Sequence, residues 1–411
     1  MKKNYLLMGL LAMGLCVATS CSSDDDNETK DENNESTKEL TEAEAQNLDY
    51  TSANAAAWGN YAVNVANLLA QDSRDLYNQW NNSYAAAFKS HNASVTGFNS
   101  ALECVEQIID GCIDIATEVG SAKIGEPVQL YKDGKTTQAL YAVESWYSWH
   151  SRDDYKNNIL SIVNTLLGQR ITGDPSNYDR SQASQNSIIV KCMQSNALRQ
   201  PSITVWQNAC DAWTAIHNIP QPFRNNINSA ESESAIDACA ALSESLEALK
   251  SAILDNMSEE TAQAIVNQFV DVVAMPTYQE LVAKNQVLQQ AVSAFQANPS
   301  NQTFALAAEA WLNARAPWET SEAFLFGPVA ELGLDPNMDS WPLDVVAISN
   351  LLISQQWSDM NWSGEYEATD EDDPDASSEH AKAIEAAQSV RGYHTLEFLL
   401  FKNGTPRTIA Q

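Results

Sequence analysis

Positive charge and histidine are scarce in this sequence: 23 Lys and Arg stand against 54 Asp and Glu, with five His, and the formal charge is −31. Such a balance repels phosphate backbones and anionic lipid surfaces, which excludes nucleic acid as a partner, and it favours cations near the surface. After the N-terminal segment no stretch reaches the length of apolar sequence that spans a bilayer. There is no H-E-x-x-H, no G-x-S-x-G and no phosphate loop, so those metallopeptidase, hydrolase and nucleotide chemistries have no footing. No C-x-x-C spacing suggests a metal knuckle. Of seven cysteines, Cys16 and Cys21 lie near the N-terminus, and Cys104, Cys112, Cys192, Cys210 and Cys239 remain. These five read as buried helix residues with one or two bridges, the odd number leaving at least one thiol over.

What is present is mostly helix-period sequence rich in Ala, Leu, Gln and Glu, with few alternating β-branched runs. Helices are expected at 42–81, 85–118, 136–169, 178–197, 201–216, 230–254, 257–271, 277–297, 301–325, 342–357 and 376–402. Thr41 with Glu44 and Ser258 with Thr261 read as capping boxes, and Pro276 as punctuation before the next helix. Loops are expected at 125–127, 173–175, 220–222 and 335–337. Long helices with short connections make an all-α protein of antiparallel bundles.

The N-terminus reads as an export signal over 1–20. Lys2 and Lys3 are its positive end and Tyr5 to Val17 its short apolar core. Ala18-Thr19-Ser20-Cys21 has the look of a lipobox, so Cys21 is the expected lipidated first residue and membrane anchor. Cleavage there takes two positive charges and leaves −33. Residues 21–44 form an acidic tether with almost nothing apolar to bury. The expected location is the cell envelope, as an outer-membrane lipoprotein facing either the surface or the periplasm.

The most informative segment lies near the C-terminus, in Gly392-Tyr393-His394-Thr395-Leu396-Glu397. At about 100° per residue, His394 and Glu397 sit about 60° apart on one helix face, so an imidazole and a carboxylate can converge on one ion. The pair is expected to face an interhelical cleft. Gly392 inside a helix costs roughly 1 kcal/mol against Ala, which suggests close approach of another helix.

This segment, extended as Arg391 to Leu400, resembles the G-x-H-x-x-E signature of imelysin-like proteins, which are all-helical proteins of bacterial envelopes. Ala314 to Gly327 with Trp341-Pro342-Leu343-Asp344 resembles a block that precedes that signature, and Asn403 to Thr408 the loop that follows it. A helix usually found after the loop is similar to the segment here at the start of the mature chain, through Trp58, Tyr61, Val65, Leu68, Leu69, Asp72, Leu76 and Trp80. The resemblance therefore implies two helical-bundle domains in a circularly permuted order, 45–258 and 259–411, the second carrying the motif. It further implies that the helix near Trp58 packs beside the helix of His394, with the chain ends close together.

Two ligands hold a metal poorly, so others are expected from elsewhere. Glu322 is the expected third ligand. It lies seven residues, two helical turns, from Arg315, and Trp318 lies between them; a buried ion pair between helices is the alternative. Asp344 is expected to cap a helix, with a place at the site as the alternative. Glu144, Ser145 and Ser148, on an otherwise aromatic helix, form a second polar face and a candidate pocket wall. His150 is a further metal candidate, and Glu118 and Glu126 weaker ones. The acidic run 370–375 lacks the spacing and glycine of an EF-hand and reads as a solvated loop. Together with the resemblance, these residues imply a lipid-anchored envelope protein. It would hold a divalent or ferric ion, iron being expected, or an iron-bearing ligand, between two bundles. It would serve iron uptake beside an envelope iron transporter. A metallopeptidase of the imelysin kind is the alternative reading. It needs three ligands, an open position and a base, and Phe398 stands where an H-x-x-E-H pattern would place its second histidine.

Overall fold

The computed structural model describes residues 42–361 and 379–409. The export signal, Cys21, the tether up to residue 41, Thr41 of the first capping box and the acidic run 370–375 lie outside the described residues. Within them the fold is all-α, with strands only in the two-residue arms Phe401–Lys402 and Thr405–Pro406. Those arms pair antiparallel around Asn403-Gly404, both with positive φ, the conformation that an Asn-Gly hairpin turn supplies.

The described helices sort into two packed groups within one compact unit. In the first, Ala55–Gln79 packs on Met275–Ala297, which packs on Asn301–Glu319, and Gly392–Leu400 lies against both outer members. In the second, Ala101–Glu118 and Arg199–Asn218 flank Ala230–Asn256, and Ser151–Leu167 touches both groups. Trp58 donates its indole N–H to the Leu399 carbonyl at 3.0 Å and stacks on Phe398, while the Tyr61 hydroxyl donates to the Val390 carbonyl at 2.8 Å. Asp49 pairs with Lys402 and Arg407, so the first and last described segments meet. No described helix is long and apolar enough to cross a membrane.

Several expected boundaries move. The first long helix begins at Ala55 and runs on through a π-turn, Trp80–Tyr84, to Lys89. The expected 85–118 helix breaks after Lys89 and resumes at Ala101, where the Ser100 side chain accepts the Glu103 N–H. The 125–127 loop is helical, since Gly125 and Pro127 sit inside and just after a π-turn that continues into Glu126–Lys132. Glu259 to Ala297 is one rod with a π-turn at Phe269–Ala274, and Pro276 is tolerated at the start of its last section. The 335–337 loop is the short helix Leu334–Asp339. Ser258 caps as expected, its hydroxyl accepting the Thr261 N–H. All five described cysteines are free and buried, so the expected bridges are absent among them.

Candidate metal centre

The expected 376–402 helix is two helices, Glu379–Gln388 and Gly392–Leu400, with the break just before the motif. Gly392 has φ +88°, which L side chains rarely adopt, and a Cβ there would stand 2.7 Å from the Met338 carbonyl oxygen. The glycine thus serves both as a left-handed hinge and as the contact point where the Leu334–Asp339 helix presses on the motif. That contact sets Asp339 against His394.

His394 and Glu397 converge as their spacing requires, but neither faces an open cleft: both are fully buried. His394 Nδ1 lies 3.0 Å from Glu397 Oε2. The other Glu397 oxygen accepts the Ser148 backbone N–H at 2.7 Å. Glu397 therefore orients the imidazole and turns Nε2 toward the cluster, where Asp339 Oδ1 is 3.1 Å away and Glu144 Oε1 3.4 Å. The Trp341 ring lies edge-on to the imidazole at 4.8 Å.

Arg315, wholly buried, is the hub. Its guanidinium donates to Asp339 and, at 2.8 Å, to Glu144; it also pairs with Glu319 at 2.8 Å and with Asp154 at 3.4 Å. Its Nη2 is 3.2 Å from His394 Nε2. Trp318 donates its indole N–H to the second Asp339 oxygen at 2.7 Å. Ser145 donates to Asp154 at 2.5 Å and Ser151 to the Glu144 carbonyl at 2.5 Å. Lys123 pairs with Glu144 at 3.1 Å and lies 3.6 Å from Glu118, whose side chain is half exposed. A ladder of charges therefore runs from solvent through Glu118, Lys123 and Glu144 to His394.

Opposed carboxylates and cations split the proton affinities. Burial would raise Glu144, but Lys123, the hydrogen bond from His394 and Arg315 hold it at about 2. Burial likewise opposes ionisation of Asp339, yet Arg315 and His394 keep it far below the ordinary range. Burial and Arg315 pull His394 down, and the hydrogen bonds to Asp339, Glu144 and Glu397 outweigh them, so it stays protonated well above its usual value. Burial drives Glu319 and Glu322 well above the carboxylate range, Arg315 opposing it for the first and Lys123 for the second.

Other expected positions are realised by routes that helix periodicity does not describe. Glu144, Ser145 and Ser148 lie on a turn-rich loop between Thr136–Ala142 and Ser151–Leu167, not on a helix. Ser145 and Trp149 hold positive φ there, at about 1–3 kcal/mol each. The Ser148 contribution is its backbone N–H, since its hydroxyl reaches only the Ser145 carbonyl at 3.4 Å. The Arg315 helix ends at Glu319, and Glu322 enters the cluster on a following 3-10 turn, so the two-turn argument does not apply to it. Asp344 caps a helix as expected, its exposed carboxylate accepting the Ala347 N–H, and the alternative place at the site is not taken, since it lies away from the buried cluster. His150 stands at the edge, 3.8 Å from Asp154, and no hydrogen bond or ion pair ties Glu126 to the cluster.

Asp339, Glu319, Asp154 and Lys123 escaped the sequence reading. Glu319 is i+4 from Arg315, the spacing of a helical ion pair, and that signal could have found it. Asp339 gave none, because Pro336 made its helix read as a loop.

One ligand atom each from Glu144, Asp339 and His394 lies within 4.8 Å of the other two, a span that one ion can bridge. The family model described as Imelysin matches residues 27–249 and 274–411. The chain belongs to the imelysin family. The crystal structure of an imelysin peptidase from Bacteroides ovatus is similar at 49% identity and a TM-score of 0.80, covering 89% of this chain and all of that one. Iron-regulated protein A of Synechococcus elongatus is 39% identical over 89 residues, which span 21% of this chain and 25% of that protein.

Proposed function

We propose that this imelysin-family protein binds a metal ion, iron being the expected one, through Glu144, Asp339 and His394. The convergence of those three ligand atoms carries the reading. One nitrogen and two carboxylates suit a divalent or ferric ion of intermediate to hard character. Glu397 and Trp318 would act behind the ligands, fixing the imidazole and the Asp339 carboxylate. Arg315 now occupies the Glu144 and Asp339 oxygens. It can yield them to an ion and keep Glu319 and Asp154 as its counter-charges. The name of the Synechococcus relative supports iron. Family membership and the N-terminal sequence support an envelope protein anchored through Cys21, at the surface or in the periplasm, delivering iron to an envelope transporter. The contacts of Trp58 with the motif helix, and of Tyr61 with Val390 just before it, support the permuted order of the family's blocks.

Binding is favoured over peptide hydrolysis because His394 is completely buried, whereas a scissile bond must reach the ion. Two surface depressions, of about 750 and 320 Å³, are lined by other residues, among them Tyr178 and Met193 in the first and Asp75 and Leu332 in the second. The test is anaerobic calorimetry of Fe²⁺ with the full chain, His394→Ala and Glu144→Gln. One tight ion is expected, weakened about tenfold to a hundredfold or more in each variant. Equal binding by all three proteins, or chelator-sensitive cleavage of an unfolded protein substrate, would overturn the reading.

A further inference from the structure

A second set of oxygens lies beside the first. One carboxylate oxygen each from Glu319, Glu322 and Asp339 lies within 4.8 Å of the others, twice the ~2.4 Å of a calcium–oxygen bond. We propose that these three residues form a second cation subsite, all-oxygen, which shares Asp339 with the His394 centre and takes a hard divalent ion such as Ca²⁺.

Glu322 carries the argument. It is only 8% exposed, yet no hydrogen bond or ion pair engages its carboxylate, and Lys123 acts on it only from longer range. A buried carboxylate without a direct partner is expensive to keep. Around it, fully buried acceptors are left without a donor. Asn158 donates to Glu319 Oε2 at 2.6 Å, which leaves its own buried Oδ1 without a donor. Glu319 Oε1 stands 2.8 Å from Arg315 but out of hydrogen-bonding alignment, and Asp154 Oδ1 has no donor either. Each of these atoms is an oxygen acceptor, so what it lacks is a donor or a coordinated cation.

The local charge count agrees. Glu144, Asp154, Glu319, Glu322, Asp339 and Glu397 are set against Lys123, Arg315 and His394, two carboxylates for each cation. Arg315 pairs with Glu319 and Asp339 as well as with Glu144 and Asp154, and Lys123 with Glu144 and Glu118, but neither pairs with Glu322. Without a nitrogen or sulfur donor, the trio selects ions that prefer oxygen, Ca²⁺, Mg²⁺ or Mn²⁺, over those that prefer imidazole. The His394 centre has the opposite bias, so two different ions can be held side by side.

The test is Ca²⁺ calorimetry, with Ca²⁺ alone, near neutral pH, on the full chain and on Glu322→Gln and His394→Ala. Wild-type protein should bind Ca²⁺, His394→Ala should keep that binding, and Glu322→Gln should weaken it about tenfold or more. Because Glu322 makes no hydrogen bond, Glu322→Gln should keep helix content and melting, and it should still take up Fe²⁺ at the other centre. Should that variant fold poorly, Glu322→Asp, which keeps the charge, must fold and bind Ca²⁺ more weakly than wild type. Absence of Ca²⁺ binding, or Ca²⁺ binding that Glu322→Gln leaves unchanged, overturns the second subsite and leaves the His394 centre standing. Loss of Fe²⁺ binding alone would do the reverse.

Discussion

At the scale of residues, Arg315 decides whether the cluster can exist. Four carboxylates lean on one guanidinium that has no contact with water. Removing one partner of a buried pair leaves the other charged in a low-dielectric interior and typically costs about 3–5 kcal/mol. Arg315→Met is therefore expected to lose stability on that scale in urea titrations, and Arg315→Lys to recover only part of it, because an ammonium lacks the planar fork that serves several carboxylates at once. A loss below about 1 kcal/mol would mean that the carboxylates are held some other way. Gly392 poses the complementary question. At φ +88° and with the Met338 carbonyl 2.7 Å from any Cβ, Gly392→Ala must shift the Leu334–Asp339 helix or the motif helix. The expected result is a loss of about 1–3 kcal/mol together with weaker metal binding, since Asp339 rides on the displaced helix. A variant with wild-type melting and affinity would show the contact to be slack.

At the scale of elements, the site depends on a loop, Val143 to His150, that periodicity took for a helix. The polar residues there were visible in the sequence as Glu144, Ser145 and Ser148 among aromatics. Their mutual orientation was not, because it rests on positive φ at Ser145 and Trp149, which no periodicity signals, and on the close approach of Gly404 to the Trp149 ring. The long helices were legible because their apolar stripes are, and His394 with Glu397 because an i, i+3 pair needs only local geometry. Asp339 was not, since a Pro in a six-residue helix reads as a turn and only the fold sets it against His394. The loop makes a sharp distinction between two serines. Ser148 works through its backbone N–H on Glu397. Ser148→Ala should therefore stay within about 0.5 kcal/mol of wild type. Ser145 donates its hydroxyl to the buried Asp154 carboxylate, and Ser145→Ala should cost about 1–3 kcal/mol. Equal effects in thermal or urea melts would contradict that division.

At the scale of the whole molecule, excess buried negative charge predicts the pH dependence of the ion-free protein. Glu319 and Glu322 are raised by burial. Asp335 stands exposed at the rim, where solvent screens the upward push that Glu118 and Asp339 give its carboxyl. In the window between the ordinary carboxylate range and these raised values the unfolded chain binds fewer protons than the folded one, so stability falls as pH rises. His394, also raised, adds in the same direction: its contribution is complete below its usual value of 6.5 and is lost as pH rises through the folded value. Glu144, held at about 2, and Asp339 act oppositely, since their stabilisation is lost as pH falls through their depressed values. Melting should therefore peak in mild acid and decline toward about pH 8, and bound cations should flatten that decline by replacing the missing positive charge. Melting that rises steadily from mild acid to about pH 8 without ions would contradict the charge balance described here. The most direct measurement is anomalous diffraction at the iron edge from crystals of the full chain grown anaerobically with Fe²⁺. The account predicts one strong peak between His394 Nε2 and the carboxylates of Glu144 and Asp339, with the Arg315 guanidinium drawn back toward Glu319 and Asp154. An iron peak at some other place, or none there at full occupancy of added metal, would contradict it.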